Sequence, residues 1–211
     1  MFRRTLEERK EYIARIAARV FCEKGYQTAS LQDVAQKGGL SKAGIYHYFN
    51  TKEDILSFIL LTYTDNFMAV LKSCIQENKE KSLPVDLAFK ELINTYAHHL
   101  NQAKEVRLLV LRERHQLTGK NKKELLRKEQ AISHLLKNEL RKIPEINQEY
   151  NLNVISFLII SMSHWIGYWF RENGVLSRES VINQSINILF NGMLRNERGE
   201  AHSRGRGYGS C

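Results

Sequence analysis

The sequence predicts an all-α fold, with a small amino-terminal helical bundle followed by a larger helical domain. The chain of 211 residues contains only two prolines, Pro84 and Pro144. Apolar residues recur at helical spacing, and no stretch shows sustained strand alternation. Helix-start signals are frequent, and the predicted helices are short before residue 50 and long after it. We expect nine helices, three short and six long.

Capping boxes mark the starts of three of the predicted helices near the amino end of the chain. Thr5, Ser30 and Thr51 are each followed three residues later by an acid, which is the capping-box pattern of a helix amino terminus. The first helix then buries Ile13 and Val20 on one face and ends at Gly25, a residue suited to the left-handed cap position. The second runs from Leu31 to about residue 37, and a third follows Gly38 and Gly39.

The longer helices are expected to follow from residue 52 onward. Pro84 fits the first turn of one helix, Gly119 and Pro144 interrupt the pattern, and Gly174 closes an apolar segment. The predicted ranges are about 52–78, 84–101, 103–117, 121–142, 148–173 and 177–195. We therefore predict a helix-turn-helix DNA-binding domain at 1–50, a helical effector-binding and dimerisation domain at 51–196, and a disordered Gly/Arg/Ser-rich tail at 197–211.

Charge is concentrated at the amino end of the chain. Residues 1–52 hold ten Lys/Arg against five Asp/Glu, whereas residues 53–196 hold nineteen against sixteen over a segment almost three times longer. Such an asymmetry favours a polyanion as partner, nucleic acid before membrane. A solvated basic surface is the alternative interpretation.

Compartment and membrane signals favour a cytoplasmic protein. The three cysteines are an odd number without CxxC spacing, which is typical of a reducing compartment. The first residues lack the apolar core of a signal peptide. The most apolar run, 154–170, has seventeen residues including three serines and a histidine, short of the ~20 that a spanning helix needs. We expect a buried helix there; a membrane anchor is the alternative.

The segment 40–49, with the sequence LSKAGIYHYF, forms the second half of a predicted helix-turn-helix. If Ser41 caps this helix, Ile45 and Phe49 lie one turn apart and face the core. Lys42, Ala43, Tyr46 and His47 then face outward, with Tyr48 at the border. Hydroxyls, imidazoles and cations contact phosphates, and the first residues of such a helix lie nearest the base edges of the major groove. The alternative is that the aromatic rings belong to a local core.

Residues 10–60 resemble the DNA-binding domain of the TetR family of bacterial transcriptional regulators. The matching positions are Gly25, Tyr26, Thr28, Ser30, Val34, Ala35, Gly39, Ser41, Lys42, Ile45, Tyr46, Phe49, Lys52, Glu53 and Leu56. Ala43 stands where glycine is common, and Tyr48 where histidine is common. The resemblance implies operator contacts from Thr28, Ser30, Ser41, Lys42, Ala43, Tyr46, His47, Tyr48 and Lys52.

In this family the carboxy-terminal helices pair two subunits and enclose a ligand. The two reading heads must sit about one DNA turn apart, ~34–36 Å, to read a palindrome. A ligand that favours a state with the heads spread therefore weakens operator binding by its differential affinity. We accordingly expect a homodimer through the last two helices, a double-stranded operator and release by a small hydrophobic effector. These features are typical of a repressor.

The carboxy-terminal segments are also similar to KstR-like and FadR-like TetR-type regulators of fatty acid and sterol breakdown. The residues that carry this similarity include Trp165, Trp169, Arg171, Gly174 and Ser177. It implies an acyl-CoA effector, with its tail in the bundle and basic residues such as Arg112 and Arg114 at the mouth. Candidate lining residues are Phe67, Tyr96, Leu109, Arg112, Phe157, Met162, His164, Trp165 and Tyr168.

Other chemistry is not indicated by the sequence. No HExxH, GxSxG, phosphate-binding loop or dinucleotide fingerprint occurs, so we expect neither an enzyme nor a cofactor. His98 and His99 are adjacent on a helix and point apart, so we expect no metal site. The rival interpretations are a helical lipid-binding protein or enzyme, a membrane-anchored protein, and a TetR-type regulator of an efflux pump that senses hydrophobic drugs.

Overall fold

The structure, a computed structural model, describes residues 5–102, 104–171 and 173–194. For residues 100–102 and 104, the structure describes the backbone alone. The predicted tail at 197–211 and the predicted end of the last helix at 195 lie outside the described residues.

The described residues form nine α-helices, which confirms the all-α prediction. Arg114–Gln116 form a single 3₁₀ turn after the sixth helix. The helices are α1 Leu6–Lys24, α2 Leu31–Gly38, α3 Lys42–Tyr46, α4 Lys52–Glu80, α5 Val85–Gln102, α6 Lys104–Glu113, α7 Gly119–Leu140, α8 Leu152–Trp169 and α9 Arg178–Met193.

The predicted capping boxes are present at α1, α2 and α4. The hydroxyls of Thr5, Ser30 and Thr51 each accept a hydrogen bond from the backbone amide three residues later. The acids at those positions accept in turn from the cap amides, so two otherwise free donors are satisfied at each helix start. These interactions fix where the three helices begin.

Two helices are shorter than predicted. α6 ends at Glu113 instead of continuing to residue 117, because the chain tightens into the 3₁₀ turn. α8 covers Leu152–Trp169 instead of 148–173. The Asn151 side chain caps its start, and Phe170 leaves the helical conformation with a ψ of 131°.

The buried apolar residues form two clusters that meet along α4. One cluster lies in the predicted amino-terminal DNA-binding domain, which is called the head from here on and comprises α1, α2, α3 and the first turn of α4. It contains the inward residues of α1, α2 and α3 together with Ile55 and Leu56 of α4. It also contains Leu109, Leu117 and Leu125, so the core of the head extends past the boundary predicted at residue 50. The second cluster lies between α4, α5, α7, α8 and α9. The α6–α7 segment thus belongs structurally to both halves.

Two helices, α4 and α8, are long and apolar enough to cross a membrane by length and composition alone. α4 packs against α1, α5, α6 and α7, and α8 packs against α5, α6, α7 and α9. Only 44% of the apolar window of α4 and 33% of that of α8 are buried, so the helix expected to be buried at 154–170 is buried on one face and exposed on the other.

Candidate DNA-binding surface and ligand cavity

The short helix α3 is fixed at both ends and along one face. The Ser41 Oγ accepts from the Gly44 amide at 3.0 Å, which caps the start. Ile45 is completely buried and Phe49 is 5% exposed, and both belong to the core cluster of the head. This arrangement confirms the predicted inward face and leaves the other face of α3 to solvent.

The outward face of α3 carries the residues that the helical spacing placed there. Lys42, Ala43, Tyr46 and His47 are exposed, and the Lys42 Nζ lies 5.8 Å from the Tyr46 ring centroid. Tyr48 is half-buried and packs edge-on against the His47 ring at 4.9 Å. A cation, a phenol and an imidazole are thus presented together on one exposed surface, as a backbone-phosphate contact requires.

The hydroxyls of Thr28 and Ser30 are already used within the loop before α2. The Thr28 Oγ1 donates to the Lys24 carbonyl, and the Ser30 Oγ donates to Asp33 Oδ2 at 2.7 Å. Hydrogen bonds from Lys24 and Ser30 hold the pKa of Asp33 well below its ordinary value. Both positions are exposed, so each oxygen keeps acceptor capacity while its proton has a protein partner.

Lys52 is arranged differently from the phosphate contact that the resemblance implied. Its Nζ donates to the carbonyls of Tyr26, Gln27 and Ala29 at 2.5, 3.0 and 3.0 Å. The same ammonium lies 4.6 Å from the Tyr26 ring centroid. An ammonium has three protons, and all three point at carbonyls. Without DNA, Lys52 therefore ties the start of α4 to the loop before α2, and the operator contact implied for it stays a prediction.

A cavity of about 630 Å³ lies in the larger domain. Its walls come from α4, α5, α6, the 3₁₀ turn, α7 and α8. Its lining residues are Tyr63, Thr64, Phe67, Tyr96, Val110, Leu111, Arg112, Arg114, Glu129, Ile132, Phe157, Ile160, Ser161, His164, Trp165 and Tyr168. This size is within the range that holds small ligands.

Seven of the nine predicted effector residues line this cavity: Phe67, Tyr96, Arg112, Phe157, His164, Trp165 and Tyr168. The other two do not. Leu109 is 2% exposed and packs in the core cluster of the head. Met162 packs against the core cluster of the larger domain, because it lies about 200° around α8 from both Ile160 and His164.

Several lining residues were not predicted, and some of them carried a signal. Tyr63 lies one turn before Phe67 on α4, and Ser161 lies one turn from both Phe157 and Trp165 on α8. The same helical spacing that selected their neighbours could have selected them. Glu129 had no comparable signal, since α7 gives no indication of which polar position faces inward.

The cavity has charged groups on one side and neutral polar groups beside an apolar wall. Arg114 pairs with Glu129 at 2.8 Å, and the Arg112 Cζ lies 5.9 Å from the Tyr168 ring centroid. Burial raises the pKa of Glu129 against the opposing effect of Arg114. Burial, with smaller contributions from Arg107 and Arg114, lowers the pKa of His164 to about 4, so its imidazole is neutral at pH 7.

An apolar stripe on α8 faces solvent beside the cavity. Val154, Leu158, Trp165 and Trp169 are 55%, 47%, 62% and 49% exposed, and they recur at helical spacing. On α9, Ile188 is 74% exposed. A contiguous apolar surface of this kind marks a protein–protein contact more often than a bare surface of a monomer.

Side chains of the head bond to the segment between α6 and α7. The Glu53 carboxylate accepts from the Thr118 amide at 2.8 Å and from its Oγ1 at 3.0 Å. The Gln27 Nε2 donates to the Gln116 Oε1 at 2.8 Å. Because Arg112 and Arg114 of the same segment line the cavity, a ligand there lies a few residues from contacts to the head.

Two family descriptions match the chain. One, "Bacterial regulatory proteins, tetR family", matches residues 13–57. The other, "Tetracyclin repressor-like, C-terminal domain", matches residues 84–193, which is more than half of the chain. The first covers the helix-turn-helix, and the second covers all but the α4 wall of the cavity.

Individual proteins of this kind are similar over nearly the whole chain. The HTH-type transcriptional repressor KstR2 of Rhodococcus jostii is 20% identical over 190 residues, covering 88% of this chain and 91% of that protein. The regulator PfmR of Thermus thermophilus has a TM-score of 0.75 at 26% identity, with 87% and 99% of the two chains covered. AibR, solved with isovaleryl coenzyme A and operator DNA, has a TM-score of 0.75 at 24% identity, with 86% and 98% covered.

Proposed function

Because this chain belongs to the TetR family of bacterial regulatory proteins, we propose that it is a repressor that binds a palindromic operator as a homodimer and is released by a hydrophobic effector. The family consists of helix-turn-helix transcriptional regulators, so the chain is a DNA-binding regulator and not an enzyme. Its place of action is the cytoplasm. The effector we propose is an acyl-CoA, which connects the regulator with fatty acid metabolism.

The observation that carries the DNA-binding part is the two-sided chemistry of α3. Ile45 is completely buried while Lys42, Tyr46 and His47 are exposed on the opposite face. Lys42 and Ala43 are the first residues of α3: Ala43 would lie nearest the base edges, and the Lys42 ammonium would contact a phosphate beside them. Tyr46 and His47, one turn later, would contact phosphates. We also propose that the DNA phosphate backbone is contacted at the edge of this surface by Thr28, Ser30, Ser41 and Tyr48.

The exposed apolar stripe of α8 supports pairing of two subunits. Val154, Leu158 and Trp169 face solvent on α8 and Ile188 does so on α9. A two-fold contact would place α8 and α9 against the same helices of a second copy, forming a four-helix bundle. Pairing there would set the spacing of the two heads.

The cavity supports a ligand with an apolar body and a negatively charged end. Phe67, Ile132 and Ile160 provide an apolar wall, and Arg112 and Arg114 provide cations on another. Arg112 is exposed, and its Cζ lies 5.9 Å from the Tyr168 ring centroid, so its charge is available to phosphates. The relative AibR was solved with isovaleryl coenzyme A, which favours the same class of ligand.

The α6–α7 segment provides a route from the cavity to the head. Displacing Arg114 moves the 3₁₀ turn, which holds Gln27 through Gln116 and leads directly to Thr118 on Glu53. Since Glu53 is in the first turn of α4, a shift there changes the direction of the head. A ligand that favours the shifted state weakens operator binding by its differential affinity for the two states.

A gel-shift assay on DNA upstream of the protein's own gene tests the proposal. Wild-type protein should retard this DNA, and a variant with Lys42→Ala and Tyr46→Ala should not. The variant should keep the fold and the dimeric state of the wild type. The control is Lys123→Ala, an exposed lysine on α7, which should bind as wild type does. Equal binding by the double variant would contradict the docking of α3.

The effector part is tested on the same complex. Long-chain acyl-CoAs at micromolar concentration should release the operator from wild-type protein. In Glu53→Ala, the same ligand should bind with unchanged affinity but release less DNA, because the link to Thr118 is lost. No release from the wild-type complex would rule out this class of effector.

A further inference from the structure

The cavity contains two buried polar atoms that the surrounding helices do not satisfy. Tyr63 Oη and His164 Nδ1 are both inaccessible to solvent, and within the described part of the chain neither has a hydrogen-bonding partner. Both residues line the cavity, one from α4 and one from α8. A buried polar group without a partner carries an uncompensated desolvation cost, so a group supplied by a ligand would recover free energy at both atoms.

Both groups are neutral at physiological pH. Burial raises the pKa of Tyr63 to about 12, so the phenol keeps its proton and can donate. Burial lowers the pKa of His164 to about 4, and the positive charges of Arg107 and Arg114 add to this effect. The imidazole therefore offers one nitrogen as donor and one as acceptor. Neutral partners favour an uncharged ligand group over a carboxylate or an ammonium.

Aromatic and aliphatic side chains make up most of the wall beside these atoms, although the positive charge of Arg107 acts on both residues and the Tyr63 ring also stacks on His99, with 5.7 Å between centroids. The Tyr63 ring stacks on Phe67, with 6.3 Å between centroids, and His164 meets the edge of Tyr96 at 6.4 Å. Ile132 and Ile160 complete this wall. A plain hydrocarbon chain would fill the volume but would leave Tyr63 Oη and His164 Nδ1 unsatisfied and shielded from water.

We propose that the ligand of this cavity is an oxygenated apolar molecule, whose hydroxyl or carbonyl oxygen pairs with Tyr63 Oη and His164 Nδ1. A hydroxyl can accept from the phenol and donate to the imidazole, and a carbonyl can accept from both. This inference rests on the proposed effector function, which it makes more specific. Tyr63 and His164 then select between oxygenated and plain acyl groups, whereas Arg112 and Arg114 bind the charged end of either.

Calorimetric titration of the full-length protein tests this selectivity without DNA. The probes are decanoyl-CoA and a series of its derivatives that carry a single hydroxyl or oxo group at successive carbons. At least one oxygenated probe should bind about tenfold more tightly than decanoyl-CoA, the effect of two recovered hydrogen bonds. Tyr63→Phe and His164→Phe keep a ring but lose the polar atoms, and each should remove most of this preference. Tyr150→Phe, which removes an exposed phenol outside the cavity, should retain it.

The inference would be overturned by equal or tighter binding of decanoyl-CoA than of every oxygenated probe, or by a preference that persists in either Tyr63→Phe or His164→Phe. Binding of none of the probes would also overturn it. Operator release, measured separately, distinguishes this inference from the proposed function. Release by decanoyl-CoA without any preference contradicts only the inference, while a clear preference without release supports the inference and contradicts only the effector role.

Discussion

A variant at Lys52 tests whether the ammonium of this residue stabilises the DNA-binding domain through backbone carbonyls or contacts the DNA phosphates. Replacing Lys52 with Met keeps the length of the side chain and removes three hydrogen bonds to carbonyls. A hydrogen bond to a charged group contributes about 1.5–3 kcal/mol. The Gln27 carbonyl is exposed and can turn to water, whereas those of Tyr26 and Ala29 are partly buried. We therefore expect Lys52→Met to lower the free energy of unfolding by about 2–4 kcal/mol.

The dependence of operator affinity on salt separates the two roles of Lys52. Each phosphate that a protein neutralises contributes about 0.9 to the slope of log K against log salt, so a contact repeated in two subunits contributes about 1.8. Because the three protons of Lys52 are all on carbonyls, Lys52→Met should leave this slope unchanged even where affinity falls. Lys42→Met, at an exposed position of α3, should reduce the slope by about 1.8.

The assay is fluorescence anisotropy of labelled operator at four or more salt concentrations, below the melting temperature of each variant. A slope reduced by about 1.8 in Lys52→Met would refute the reasoning, because it would mean that the ammonium leaves the carbonyls for phosphate in the complex. An unfolding free energy equal to that of wild type would refute it independently.

Three further predictions concern stability and assembly. A methyl group at Gly167 would lie 2.8 Å from the Arg107 Cδ, so Gly167→Ala should lower the free energy of unfolding by about 1–3 kcal/mol in thermal denaturation. The pKa of His164 is about 6.5 in the unfolded chain and about 4 in the folded protein, so the free energy of unfolding should fall by at most about 3 kcal/mol as the pH drops through this window. In His164→Gln the free energy of unfolding should depend less on pH. Equal pH dependence in the variant and the wild type would contradict the assignment. Leu158→Glu on the exposed stripe of α8 should give a monomer in native mass spectrometry, and a dimer of wild-type stability would place the subunit contact elsewhere.

The head could be predicted from the sequence because its determinants are local. The capping boxes at Ser30 and Thr51 and the four-residue spacing of Ile45 and Phe49 fix which side of α3 is buried. The exposure of Tyr46 follows from that spacing alone. No knowledge of distant helices was needed for these residues.

The predictions failed where the outcome depends on contacts between distant segments. Leu109 has the same apolar character as the cavity residues, and only the packing of α6 against α1 places it in the core of the head. For Lys52, the resemblance implied a DNA contact, but nothing in the sequence indicated its bonds to carbonyls more than twenty residues away in the chain. Glu129 lines the cavity because of how α7 packs, and its partner Arg114 is fifteen residues away in the chain.

On α8, which lines the cavity, some residues could be predicted from local spacing and others could not. Phe157, His164 and Tyr168 share one face of α8 and could be predicted together. Met162 was wrongly included with them, because an apolar side chain suits both a cavity and a core, and only its angular position on α8 separates the two. The polar atoms of Tyr63 and His164 gain their meaning from burial, which the sequence does not specify.

The central claim is that a dimer reads an inverted repeat with two α3 helices, one from each subunit, whose spacing is set by the subunit contact. Selection of binding sites from a random DNA library by purified wild-type protein tests it most directly. We predict enrichment of a palindrome whose half-sites are centred one helical turn, about 34–36 Å, or a multiple of it apart. No enrichment should occur with the variant that carries Lys42→Ala and Tyr46→Ala. Failure of the wild type to enrich any sequence, or enrichment of the same palindrome by the variant, would contradict the account.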